Sequence, residues 1–199
     1  MDERRNDDLQ ALVFKNRGLL LTVPAALLAA FGKPSATSVG LGLPIAIAGE
    51  LVRCWAVGYS GVTTRGDEVE APRLVTAGPY AHVRNPLYVG NFVTALGFAL
   101  AFTGHNRLAT KLTLVGGSLA AMAAVYATIV PHEEAFLRSQ FGEAFERYCE
   151  RVPPVIPLAQ PAADGEGSWD PKVIRDAESR TFATFGAMLA ILVLKSLRE

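Results

Sequence analysis

Residues 74–90 read Leu-Val-Thr-Ala-Gly-Pro-Tyr-Ala-His-Val-Arg-Asn-Pro-Leu-Tyr-Val-Gly, and they gather side chains that could do chemistry at the edge of an apolar span. Asn85-Pro86 marks a helix start, because Asn is a strong N-cap residue and Pro suits the first helical turn, where its missing N–H costs nothing. The spacing predicts a helix that begins at Pro86 and runs into a membrane. Its first N–H groups lack helical partners and carry partial positive charge, which suits an anion such as a carboxylate. Arg84 adds a full charge, and Tyr80 and Tyr88 add aromatic rings with hydroxyls. Far along the chain, Glu133-Glu134 supplies two carboxylates next to His132. The same Arg and Tyr residues also satisfy an interfacial belt at a membrane helix end.

These groups need elements to position them, and hydropathy supplies candidates. Apolar blocks cover residues 18–31, 39–59, 86–103, 112–130 and 182–194. The shortest are below the roughly 20 residues that span a bilayer, so tilt or flanking residues must help. The second block carries Glu50 and Arg53 three apart, which puts them on one helix face where they can pair. Ionisable groups at membrane depth face the bundle or a polar cavity. In the fourth block Gly116-Gly117, Ala120 and Ala124 allow close helix approach. Pro131 ends that helix or starts another. Beyond it, Leu137, Phe141, Ala144, Phe145 and Tyr148 recur at helical spacing, as in an amphipathic helix on a membrane or bundle surface. Residues 151–157 contain three prolines and cannot be helical. Asp170-Pro171 is a further cap and first turn. The last block is expected to span when Thr181, Lys195 and Ser196 join it, the alternative being an interfacial helix with Lys195 and Arg198 snorkelling.

The expected fold is therefore all-α: a polytopic membrane protein with about five transmembrane helices in one domain over residues 1–199. Half of the 199 residues are hydrophobic and the formal net charge is zero. No basic patch with interleaved aromatics points to nucleic acid. Cys54 and Cys149 lie in unlike settings, and no Cys/His spacing points to a metal. Residues 1–17 carry both signs of charge and read as a retained cytoplasmic tail. By the positive-inside rule, residues 1–17, 60–84 and 131–180 share the cytoplasmic side. The 74–90 stretch and Glu133-Glu134 then meet at one membrane face.

Residues 74–80, followed by Arg84-Asn85-Pro86-Leu87-Tyr88-Val89-Gly90, resemble the isoprenylcysteine carboxyl methyltransferase family. So do Glu133-Glu134, Phe141-Gly142, Tyr148 and the run from Arg151-Val152-Pro153 to Pro157, in the same order. The resemblance covers roughly residues 50–157, with 158–170 as a linker and 171–199 as a C-terminal helix. It implies an integral-membrane enzyme that transfers methyl groups from S-adenosylmethionine in a cytoplasm-facing pocket. By resemblance, Leu74 and Val75 line the adenosine and Tyr80 contacts the cofactor. Asn85, Pro86, Leu87 and Tyr88 occupy the family's Arg-His-Pro-x-Tyr stretch, and Glu133 holds the cofactor. Arg84, Glu134 and Arg53 are the candidates for catalysis, with a hydrophobic or lipid-like acceptor from the bilayer as partner.

Two positions depart from that pattern. Asn85 replaces a histidine and cannot act as a base near neutral pH; phospholipid N-methyltransferases of the same superfamily also carry Asn-Pro-x-Tyr. The family arginine four residues before the matching Glu falls at Ile129, so Arg53 or Arg84 must substitute for it. Two other classes compete. Membrane sterol reductases close on a segment similar to residues 148–153, and a non-catalytic scaffold fits the Glu50/Arg53 pair.

Overall fold

A computed structural model describes residues 2–61, 71–162 and 165–198, the side chains of 2–9, 11 and 176 excepted. Among them every regular element is helical: α1 (Asp2–Phe31), α2 (Ala36–Ser60), α3 (Pro86–Phe102), α4 (Leu108–Phe141), α5 (Glu143–Arg151), α6 (Pro171–Ala177) and α7 (Ser179–Ser196), with a 3-10 turn at Gly78–Ala81. Three helical stretches are long and apolar enough to cross a membrane, Leu12–Phe31, Ala36–Ser60 and Leu108–Phe141, and Pro86–Phe102 is a shorter apolar helix. The molecule is a polytopic, all-helical membrane protein.

The tightest contact joins α2 to α3, and glycines make it possible. A Cβ on Gly97 would lie 2.2 Å from the Ala46 nitrogen, and one on Gly42 would lie 2.4 Å from the Gly97 oxygen. Gly49 and Gly90 approach the facing helix in the same way, one heptad away on each helix. Backbone touches backbone, as small residues permit in membrane helices. The small-residue run of α4 does not take this role: Gly116 and Gly117 face open space. Charged and apolar side chains, not glycines, bring α4 to its neighbours.

Helix α4 also continues through Pro131, where an end was expected. Its 34 residues make a helix of about 51 Å, well beyond the roughly 30 Å of bilayer hydrocarbon. The last turns therefore carry Glu133, Glu134 and Leu137 past the apolar zone. The expected amphipathic helix is divided instead at Gly142, whose φ of +50° is the left-handed region glycine favours. Residues 2–17, read from sequence as a tail, belong to α1.

At one end of the bundle the two short turns lock together: the Lys33 N–H donates to Asn106 Oδ1 (2.8 Å) and the His105 N–H to the Lys33 oxygen (2.8 Å). Ser35 and Ser38 form a reciprocal capping box that starts α2. Helix α7 connects this end to the interior. Its Lys195 ammonium donates to the Ala30 and Gly32 carbonyls (3.3 and 2.8 Å), while Thr181 lies against Arg53 of α2. The stretch from Thr181 to Lys195 rises about 21 Å, so α7 climbs most of the bundle. Leu28, Ala46, Phe98, Phe102, Leu114, Met188 and Leu192 form the core where α1, α2, α3, α4 and α7 meet.

Candidate active site

The opposite end of the bundle carries the long loop before α3. Its 3-10 turn begins at Gly78, with φ +60°, where a Cβ would lie 2.3 Å from the Tyr59 ring. Only glycine satisfies both the conformation and the space. A strap formed by residues after α5 runs beside this loop in the opposite direction. The Arg84 N–H donates to the Pro153 oxygen, Leu158 N–H to His82 oxygen, Ala162 N–H to Ala81 oxygen and Thr76 N–H to Glu166 oxygen, each at 2.9 Å. The Tyr148 hydroxyl of α5 donates to the Tyr80 oxygen (2.9 Å). Phe145, Tyr148 and Val152 bury themselves against Leu74, Leu137 and Ala162, which anchors strap and loop to the end of α4.

Helix α3 starts at Pro86, as its sequence predicts. Asn85 occupies the cap position, but its side chain does not cap. Its amide donates to the Pro154 oxygen of the strap (3.0 Å). The residue thus closes the loop over the helix start. Pro86 is buried, while Leu87 and Tyr88 are half-buried beside it.

The adjacent carboxylates of α4 have different partners. Glu133 accepts from the Tyr88 hydroxyl at 2.6 Å, and its second oxygen carries no hydrogen bond among the described residues. Glu134 accepts two bonds from Arg84, at 2.9 and 3.1 Å, in a fork geometry. The same guanidinium donates to the Val152 oxygen (2.7 Å) and the Cys149 oxygen (3.3 Å). Arg84 therefore joins loop, α4, α5 and strap at one point.

Deeper in the bundle, Arg53 has a second fork. Its Nη2 donates to both oxygens of Glu178 (3.0 and 2.9 Å) and to Thr181 Oγ1 (3.3 Å). Glu50, the partner expected from sequence, lies 3.7 Å from Arg53 Nε. The Arg53 Nη1 donates to Asn91 Oδ1, and the Asn91 amide nitrogen donates to the Tyr126 hydroxyl (2.7 Å). Tyr126 stacks on Tyr88 with ring centroids 4.3 Å apart. A chain of polar contacts, joined to the Tyr88–Glu133 pair by the Tyr126–Tyr88 ring contact, thus runs through the interior from Glu178.

Two adjoining cavities open at the loop end. One, of about 120 Å³, is lined by Ser60, Leu74, Val75, Tyr80, Arg84 and Leu137, among others. The other, of about 440 Å³, lies between α5, loop and strap. They share Arg73, Leu74 and Tyr148. The larger falls within the roughly 300–1,000 Å³ usual for small-molecule sites. Burial pushes the Tyr80 hydroxyl up to about 12, and the charge of Glu133 adds to this, with the Ser60 hydroxyl and Arg53 opposing it. Burial likewise raises Tyr148. Both phenols are neutral throughout the physiological range.

Of the residues singled out by sequence, Leu74, Val75, Tyr80 and Arg84 share the smaller cavity, Tyr88 meets Glu133, and Arg84 meets Glu134. Asn85, Pro86 and Leu87 sit at the covered start of α3. Arg53 reaches this group only through Asn91 and Tyr126. Asn91, Tyr126, Thr181 and Glu178 escaped the sequence reading. Asn91 had a signal: it is the polar residue one turn past Tyr88 in a span without charge. Among the described residues no cluster of His, Cys, Asp and Glu could hold a metal ion.

A family model described as phospholipid methyltransferase matches residues 38–144. The chain is 41% identical to a protein-S-isoprenylcysteine O-methyltransferase of Schizosaccharomyces pombe, over 43% of this chain and 33% of that protein. It is 38% identical to the nickel-cobalt-cadmium resistance protein NccN of Alcaligenes xylosoxydans xylosoxydans, over 44% of this chain and 38% of that protein. To a probable protein-S-isoprenylcysteine O-methyltransferase of Oryza sativa subsp. indica it is 30% identical, over 60% of this chain and 61% of that protein. The matches thus span from a third to three fifths of these relatives. No solved structure matches.

Proposed function

We propose that this chain, which belongs to the phospholipid methyltransferase family, transfers a methyl group from S-adenosylmethionine to an amphipathic, lipid-like acceptor taken from the bilayer. The observation that carries the reading is the Tyr88–Glu133 pair at the covered start of α3, inside the family-matched segment. A carboxylate with one oxygen held by a phenol and the other open suits an ammonium group, and the aromatic faces beside it suit a sulfonium. The donor set therefore fits the cofactor, with Glu133, Tyr80, Leu74, Val75 and the start of α3 at Asn85, Pro86, Leu87 and Tyr88 to hold it. When bound, S-adenosylmethionine supplies a methyl group already activated on sulfur.

The chain's own residues then have to align and desolvate. The strap covers the loop, and the Arg84–Glu134 fork holds loop, α4 and α5 in register. Arg53 reaches the site through Asn91 and Tyr126, and we assign it to orienting the acceptor. A carboxylate acceptor arrives ionised and needs no base, as in isoprenylcysteine carboxyl methylation. An amine must first lose a proton. Asn85 favours this second reading, phospholipid-type N-methylation, and Glu134, His132 or Glu50 would then take the proton. The concentration of Lys and Arg in the loop-end segments supports a cytoplasmic placement of that end and of the N-terminus.

The test uses micelle-solubilised protein and two measurements. Wild-type protein is expected to bind S-adenosylhomocysteine and to move labelled methyl from S-adenosylmethionine into a membrane lipid extract. Mass spectrometry of that extract then identifies the acceptor by a shift of one methyl. Glu133→Gln is expected to weaken binding by about tenfold or more, the value of a charge-assisted hydrogen bond. Wild-type protein that binds neither cofactor nor product overturns the reading.

A further inference from the structure

We propose that Glu178 is a positioning residue for the transfer site, acting through Arg53 on the polar chain that ends at Tyr88 and Glu133; this rests on the methyl-transfer reading above. Glu178 lies at the joint of α6 and α7, beyond the family-matched residues 38–144. It is 1% exposed, although it is acidic and sits beside an apolar helix. A carboxylate in that setting must be paired. Both of its oxygens accept from Nη2 of Arg53, which anchors that end of the guanidinium.

That anchor leaves Nη1 for the rest of the chain. With Nη2 on Glu178, Nη1 faces Asn91 Oδ1, and this contact orients the Asn91 amide. The amide nitrogen then meets the Tyr126 hydroxyl (2.7 Å), and Tyr126 stacks on the ring whose hydroxyl holds Glu133. Each hydrogen bond orients the next as far as Tyr126, and the ring contact carries the alignment to Tyr88. Glu50 lies 3.7 Å from Arg53 Nε, on the same helix, and gives the guanidinium a second carboxylate. An apolar pair could bind α7 to α2 equally well. A fork that orients an amide does more than hold two helices together. The C-terminal helices thereby become part of the site, although α7 lines neither of the two cavities at the loop end.

The experiment compares full-length protein in micelles by its affinity for S-adenosylhomocysteine and by its melting temperature. Glu178→Gln keeps the shape and removes the charge. It is expected to weaken affinity about fivefold to tenfold, measured well below its own melting point, as expected for one member of a coupled network. A purely structural role would lower the melting temperature and leave that affinity unchanged. Folded Glu178→Gln that binds like wild type overturns the proposal. If Glu178→Gln does not fold, Glu178→Asp decides instead, since it keeps the charge on an arm one carbon shorter. Weakening of about threefold supports the proposal and unchanged affinity overturns it. Wild-type protein that fails to bind overturns the methyl-transfer reading as well, so the two failures are distinct.

Discussion

Two arginines clamp this molecule, and they do so in different places. Arg84 forks onto Glu134 at the loop end, where it also collects two carbonyls from α5 and the strap. Arg53 forks onto Glu178 inside the bundle and passes its remaining contact to Asn91. The first pair lies wholly within the family-matched segment, and the second reaches from that segment to a residue well beyond its end. The side chains of the first pair are 12% and 16% exposed, while Glu178 is 1% exposed. The difference shows how one side chain type serves two ends. At the membrane face, Arg84 closes a loop where water still reaches. In the interior, Arg53 is shared by two carboxylates, Glu50 of its own helix and Glu178, and the second ties in the C-terminal helices.

The largest effect should come from the deeper clamp. Arg53→Met is expected to cost about 3–5 kcal/mol, because Glu178 loses the guanidinium that compensates its buried charge. Arg84→Met should cost about 2–3 kcal/mol, since its partners are nearer water. Denaturant titration in micelles measures both, and equal losses would remove the distinction between them.

Alkaline pH reaches the loop end through Tyr80. The Tyr80 hydroxyl stands at about 12 when folded, against about 10 for an exposed phenol. The unfolded chain therefore ionises first, and stability is complete below pH 10. It is lost as pH rises from 10 through 12, by on the order of 2–3 kcal/mol. Thermal melts over that window should fall less steeply in Tyr80→Phe than in wild type.

The seam that carries Arg53 gives the next effect. Gly97→Ala would place a Cβ 2.2 Å from the Ala46 nitrogen, so α2 and α3 must part. A loss of about 1–3 kcal/mol is expected, as for other overpacked contacts. Gly117→Ala on α4 is the control, because its Cβ meets open space, and it should stay within about 0.5 kcal/mol of wild type. Melting temperatures of the two variants decide whether the tight seam belongs to α2–α3 alone.

Much of the site was legible because its signals are local. Asn85-Pro86 announces a helix start from its own backbone chemistry, and the helix begins there. Tyr80, Arg84 and Tyr88 are close enough in sequence for one loop to deliver them together. Charge counting along the loops brought Glu133-Glu134 to the same end without any contact being known. Glu178 gave no such signal. It is one acid among several charged residues before the last apolar block, and its burial depends on where α7 docks. Pro131 misled for a related reason: proline usually ends a helix in water, but a long helix in a membrane protein can continue through it when neighbours satisfy the freed carbonyl.

By itself, the sequence determined that the chain is helical and membrane-embedded, where α3 begins, and which side chains gather at its start. Those features follow from hydropathy and from caps, which act over a few residues. Only the tertiary structure decided which carboxylate each arginine takes, which glycines meet, and that Asn85 serves the strap and not the cap. Those choices depend on the packing of residues far apart in the chain, where a difference of one helical turn exchanges one partner for another.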